Sequence, residues 1–188
     1  KQALTLGSRG NVTLGSTATL ITESDLAVTS DASLLAGGTS FAGGTTLLRG
    51  DSGLTLSNDV QSVGNVTLEG GALTLGGTLA TDGALSATTV GSLTLTGTYS
   101  GVKGITLAGG ASDFAAGSSL VSGDFLTITA DSLTSAATLS ATKALNITST
   151  ADLIAGGTVS AGGALMLDAA GELTQNGVLD SGGVLTLN

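Results

Sequence analysis

The sequence predicts an all-β chain, a right-handed parallel β-helix (β-solenoid) with three short strands per rung, about 20 residues per rung and about nine rungs. Three observations predict it. Leu145, Leu165 and Leu185 fall twenty residues apart, and each opens a phrase that alternates apolar and polar residues. Weaker phrases recur between them, at Leu153 and Val159, then at Leu173 and Leu179. Paired glycines, Gly162-Gly163 and Gly182-Gly183, close the turns.

Carried back to the N-terminus, the period gives a first series of phrases at Leu4, Leu26, Leu47, Val66, Leu85, Ile105, Leu126, Leu145, Leu165 and Leu185. A second series follows at Val12, Leu34, Leu54, Leu73, Leu93, Phe114, Leu133, Leu153 and Leu173. A third closes each turn at Leu20, Phe41, Val60, Leu79, Tyr99, Leu120, Leu139, Val159 and Leu179. Phrases such as Leu73-Thr74-Leu75 and Ile105-Thr106-Leu107 have the period of a strand with one buried face. Helices need apolar residues three and four apart, and the glycines weaken them. Strands this short, set apart by Gly, Ser, Asn and Asp turns, pair with their counterpart one rung away, which runs parallel. Right-handed coiling follows from the preference that governs parallel crossovers.

Glycine pairs at 37-38, 43-44, 70-71, 76-77, 109-110, 156-157, 162-163 and 182-183 read as corners. There the backbone needs positive φ, and a side chain would strike the neighbouring rung. Two places strain the pattern. Leu47-Leu48-Arg49 puts an arginine in an inward slot, and Gln175 occupies the matching slot near the C-terminus, where a buried amide must find a partner. The segment from Arg9 to Ser33 is less regular and is where a loop is expected to protrude.

Composition fits a narrow, layered core. Glycine supplies 31 residues, aromatics 2% and charged residues 10%, while proline and cysteine are absent. Without cysteine there are no disulfides and no thiolate metal sites. The net charge is −9, and the basic residues Lys1, Arg9, Arg49, Lys103 and Lys143 are scattered, which argues against nucleic acid. No apolar run reaches the length of a membrane span, and no signal peptide is visible. The chain ends inside the phrase Leu185-Thr186-Leu187, so residues 1–188 are expected to be a single β-helical shaft segment cut from a longer chain.

Runs of the form GALTLGGTLATDGALSATTVGSLTLTG resemble the haemagglutinin-type repeats of large two-partner secretion exoproteins. That group includes filamentous haemagglutinin and the contact-dependent growth inhibition proteins, and the resemblance covers the whole chain. It implies a fibre on the bacterial cell surface, exported by a dedicated outer-membrane partner transporter. Its work would be adhesion, through a host or neighbouring-cell receptor, or delivery of a toxin to other cells. The Asn-Pro-Asn motifs of the family's secretion domain are absent, as is a C-terminal toxin module, so the piece resembles shaft.

Polysaccharide-active β-helix enzymes use paired carboxylates with basic partners on one face. Here Asp25, Asp124 and Asp152 precede strands, and Asp51, Asp82, Asp113 and Asp131 read as turn residues that cap local amides. No catalytic cluster assembles, so the expectation is a protein that is not an enzyme and takes no cofactor. Gly109-Gly110-Ala111-Ser112-Asp113 does not complete a calcium β-roll nonapeptide, so no metal is expected. Arg49, Gly50 and Asp51 spell an integrin-recognition tripeptide beside a glycine corner. They are the candidate binding residues, although a Gly-Asp turn at a strand end is the commoner meaning of three such residues.

Asn11, Asn65 and Asn146 each open an Asn-x-Thr acceptor pattern; the plainer reading is an Asn that begins a strand, followed by an outward Thr. Outward threonines, Thr55, Thr74 and Thr94 on one face with Thr106 and Thr127 on another, are interrupted by Leu35, Ala115 and Ile154. That is too irregular for an ice-binding array. Leu35 with Leu48, and Ile154 with Met166, are expected outward as small apolar patches.

Overall fold

The computed structural model describes residues 2–188; Lys1, one of the scattered basic residues, lies outside them. The chain is all-β, a parallel β-solenoid of nine three-strand rungs and the first strand of a tenth. Rung one shows the plan: Leu4–Ser8 on the first face, Val12–Leu14 on the second and Thr19–Thr22 on the third. Each strand pairs in parallel with its counterpart about one period on, as Leu4 with Leu26, Val12 with Leu34 and Ile21 with Phe41. The ten first-face strands span on the order of 45 Å along the axis. In rungs six and seven the corner between the first two faces opens out, giving the ten-residue strands Ile105–Phe114 and Leu126–Ser135.

Alternation sends every second side chain inward, where it stacks on its counterparts in the rungs on either side. One such lane runs Leu6, Val28, Leu48, Leu68, Ala87, Leu107, Ile128, Ile147, Leu167. From Val28 to Leu167 its members are at most 1% exposed. Burying one leucine in such a lane stabilises by about 1.5–3 kcal/mol. Leucine lanes dominate because a rung offers width for a branched aliphatic chain and, at few points, for a ring.

Corner lanes are lined by small residues. Ser30, Thr89 and Ser149 are buried at the corner after the first face, and Thr22, Ser62 and Thr81 at the corner after the third. Their hydroxyls bond to backbone that the turn leaves open. Ser30 Oγ donates to Gly10 O at 2.7 Å and accepts from Ala32 N at 3.1 Å. Ser149 Oγ likewise donates to Asp131 O at 2.9 Å and accepts from Ala151 N at 3.3 Å.

Three inward assignments differ from the sequence reading, and all have one cause: corner length, not hydrophobicity, sets register. In rung three the inward pair is Thr46 and Leu48, with Leu47 and Arg49 outward. Thr46 is tolerated in the leucine lane because its hydroxyl donates to Ser62 Oγ at 3.2 Å. Leu48 is therefore buried between Val28 and Leu68, and forms no outward patch with Leu35. In rung two the two-residue corner Gly37-Gly38 makes Thr39 the first outward residue, so Ser40 points in and Phe41 points out. In rung six Ser112 takes the slot of Leu93, and Phe114 the next slot, beside Leu95. Asp113, not Ala115, then interrupts the outward threonine lane.

The glycine pairs hold corners chiefly through crowding. Positive φ occurs at Gly77, Gly104 and Gly117, and of these only Gly77 belongs to an expected pair. Elsewhere the neighbouring rung fills the space. A Cβ on Gly43 would lie 2.7 Å from Glu23 O, and one on Gly157 would overlap Ala137 O. These close approaches accompany corner hydrogen bonds between rungs, such as Gly43 N to Thr22 O at 2.9 Å. Gly109 and Gly110 lie inside the strand Ile105–Phe114, not at a bend. The irregular first rung carries a tight turn, with Ala18 N donating to Gly15 O at 2.9 Å, in place of a protruding loop.

Candidate functional site

The candidate tripeptide straddles the end of a strand. Arg49 and Gly50 close Thr46–Gly50, and Asp51 begins the bend that follows. Arg49 faces out beside Glu69 on the next rung, while Gly50 is buried against the backbone of Leu34 and Gly53. Arg49 Nε donates to Asp51 Oδ1 at 2.6 Å, and the two side chains are 51% and 41% exposed. Asp51 raises the Arg49 pKa, first through this hydrogen bond and then through its charge, with Glu69 and Asp31 adding to it. The pair borders an open depression of about 480 Å³ whose far wall is Glu69, Thr88 and Val90. The tripeptide is thus corner backbone with its two charges joined. An exposed pair of this kind contributes little to stability, so a partner with better-placed charges opens it at small cost.

The other acids are dispersed. Asp25 is exposed at the corner before Leu26–Ser30; its Oδ1 accepts from Thr45 N at 2.7 Å and Thr45 Oγ1 at 2.9 Å. These two bonds, the amide's first, hold its carboxyl below the usual range. Asp152 Oδ1 accepts from Glu172 N at 2.9 Å. Both therefore cap an amide one rung on, where the sequence suggested a local amide. Asp113 and Asp131 lie within strands, not turns, because the corner between the first two faces is flattened there. Asp124 meets Lys143 Nζ at 2.8 Å, and that ammonium lies 5.2 Å from the centre of the Phe125 ring. Among the described residues no three acids gather closely enough to hold a metal ion.

The acceptor asparagines divide in the same way. Asn11 Oδ1 accepts from Ser33 N at 3.2 Å and Asn65 Oδ1 from Ala84 N at 3.0 Å, both one rung on. Asn146 does not begin its strand. It faces out as the second residue of Leu145–Ser149, between Thr127 and Met166. Gln175 stacks on Ala155, and its amide finds no partner among the described residues.

Sequence reasoning missed an apolar stripe on the third face. Ile21 is 69% exposed and Phe41 40%, side by side on adjacent rungs, with Val121 farther along the same outward lane and Val63 and Val102 exposed at the corner that follows this face. Counting from the threonine that opens most third-face strands would have found it. The residue after Thr39, Thr78 or Thr98 points in and the next points out.

No helix among the described residues is long and apolar enough to cross a membrane. Compared with protein-family models, with curated proteins and with solved structures, the chain matches none.

Proposed function

We propose that the chain is a shaft segment of a secreted bacterial surface fibre of the haemagglutinin-type repeat class. An outer-membrane partner transporter exports the fibre, which works in adhesion or in contact-dependent delivery to neighbouring cells. The shaft supplies length and stiffness and catalyses nothing. One observation carries this reading: the inward lanes run through every full rung, and among the described residues no corner is longer than four residues. A fold spent on uninterrupted stacking yields a rod whose outward residues are free to vary.

The test is transplantation. Residues 26–184, inserted in register into the shaft of a fibre that uses this export route, should lengthen it by about 38 Å, as eight rung spacings require, and leave export intact. Electron micrographs showing unchanged length, or fibre retained in the periplasm, would overturn the proposal.

A display role is the second reading, favoured by the exposed Arg49–Asp51 pair at the lip of the depression. Attachment of cells to surfaces coated with the wild type and with Asp51→Ala separates the two. Equal attachment leaves only the shaft role.

A further inference from the structure

The third face is a continuous sheet of nine strands, separate from the sheet shared by the other two. Its outward positions hold Thr78 and Ala80, Thr98 and Ser100, Ser119 and Val121, Thr138 and Ser140, and Thr158 and Ser160 on five successive rungs. No charge stands among them, although the chain carries 14 acidic residues. Asp59, on the adjoining rung, already accepts from Thr78 Oγ1 at 2.6 Å. Apolar side chains stand on this face and at its margin. Phe41, Val63 and Val102 line a shallow groove together with Ala80, Ser100, Gln61 and one acid, Asp82, at its edge.

We propose that this face binds a second copy of the chain, the two rods lying side by side with their third faces in contact. Three features select that occupant. Flat sheets with small side chains pack face to face at about 10 Å, which Thr, Ser, Ala and Val permit and long side chains prevent. A net charge of −9 makes approach through any acidic surface costly, and this face is uncharged over its central rungs. Nine strands of four residues, on which Asp59 and Asp180 are the outward acids, give on the order of 600 Å² per copy, or about 1,200 Å² for the pair. That lies at the low end of specific interfaces, so pairing is reversible.

Sedimentation equilibrium on the 188-residue chain, from micromolar to millimolar concentration, should show a monomer–dimer equilibrium. Added salt should strengthen it by screening the net charge. Phe41→Ser and Val121→Ser together should weaken it at least tenfold while Leu35→Ser on the second face leaves it unchanged. All three positions point outward, so circular dichroism should match the wild type. Because the chain has no cysteine, single-cysteine variants locate the contact. Under mild oxidation Ala80→Cys, Ser100→Cys and Ser140→Cys should form disulfide-linked dimers faster than Thr74→Cys on the second face. A chain that stays monomeric at millimolar concentration, or cross-linking no faster on the third face than at Thr74, overturns the proposal.

Discussion

Phe114 stands directly beside Ser135 of the next rung, and Ser112, two residues earlier in its strand, stands beside Leu133. Large and small side chains thus alternate diagonally across two rungs, so a ring fits where most rungs take a leucine. Phe114 is fully buried. Phe114→Ala should therefore cost about 3–5 kcal/mol in denaturant unfolding. Ser135→Phe should cost about 1–3 kcal/mol by overpacking. The double variant, Phe114→Ala with Ser135→Phe, should be more stable than the two single costs summed. Simple additivity would show that the two sites do not share one space.

Tyr99 is the chain's one tyrosine, buried in the third-face lane, and its hydroxyl donates to Gly76 O at 2.6 Å. Burial raises the phenol's pKa far above its ordinary value. The folded value exceeds the unfolded value of about 10, so this contribution is complete below pH 10 and fades as pH rises toward the folded value. Alkaline titration followed by tyrosinate absorbance should show ionisation coinciding with loss of the β signal. Reversible ionisation at the ordinary value in the folded chain would contradict the burial. Tyr99→Phe should cost about 1–2 kcal/mol.

Glycine substitutions should sort by space. Gly157→Ala drives a methyl into Ala137 O and should be strongly destabilising, whereas Gly15→Ala has nothing within 4 Å and no positive φ. The latter should be neutral or stabilise by up to about 1 kcal/mol through the unfolded chain. Thermal unfolding of the two variants distinguishes them. Equal losses would mean that glycine serves flexibility at both corners.

Leu107 lies in its lane between Ala87 and Ile128, while its neighbour Thr106 is exposed between Ser86 and Thr127. Leu107→Asp buries a charge without a partner and should cost more than 4 kcal/mol, whereas Thr106→Asp should stay within about 0.5 kcal/mol. Similar losses in a urea titration would mean that the lane is misassigned.

Most of this architecture was legible in the sequence because the repeat writes the same contact many times. Leu73, Leu93, Leu153 and Leu173 each sit where the period placed them. The errors fall where an apolar residue stood one or two positions from its slot. Thr46 and Leu47, Ser40 and Phe41, and Ser112 and Phe114 are resolved by corner length, which a hydrophobic pattern does not contain. The partners of the capping side chains were not legible for a related reason. Asp25 and Asn65 bond to amides twenty and nineteen residues on, a relation that exists only once the rungs are stacked. The candidate tripeptide was legible as letters, but the joining of Arg49 to Asp51 was not.

A stiff stack with a fixed rise per rung sets the distance between two spin labels by the number of rungs between them. Thr29 and Thr148 occupy the same outward lane of the first face, six rungs apart. Because the chain has no cysteine, Thr29→Cys with Thr148→Cys labels two sites alone. Electron–electron dipolar spectroscopy should give a single narrow distribution near 29 Å, six spacings of about 4.8 Å. A broad distribution, or one centred well away from that value, would contradict the stacked shaft.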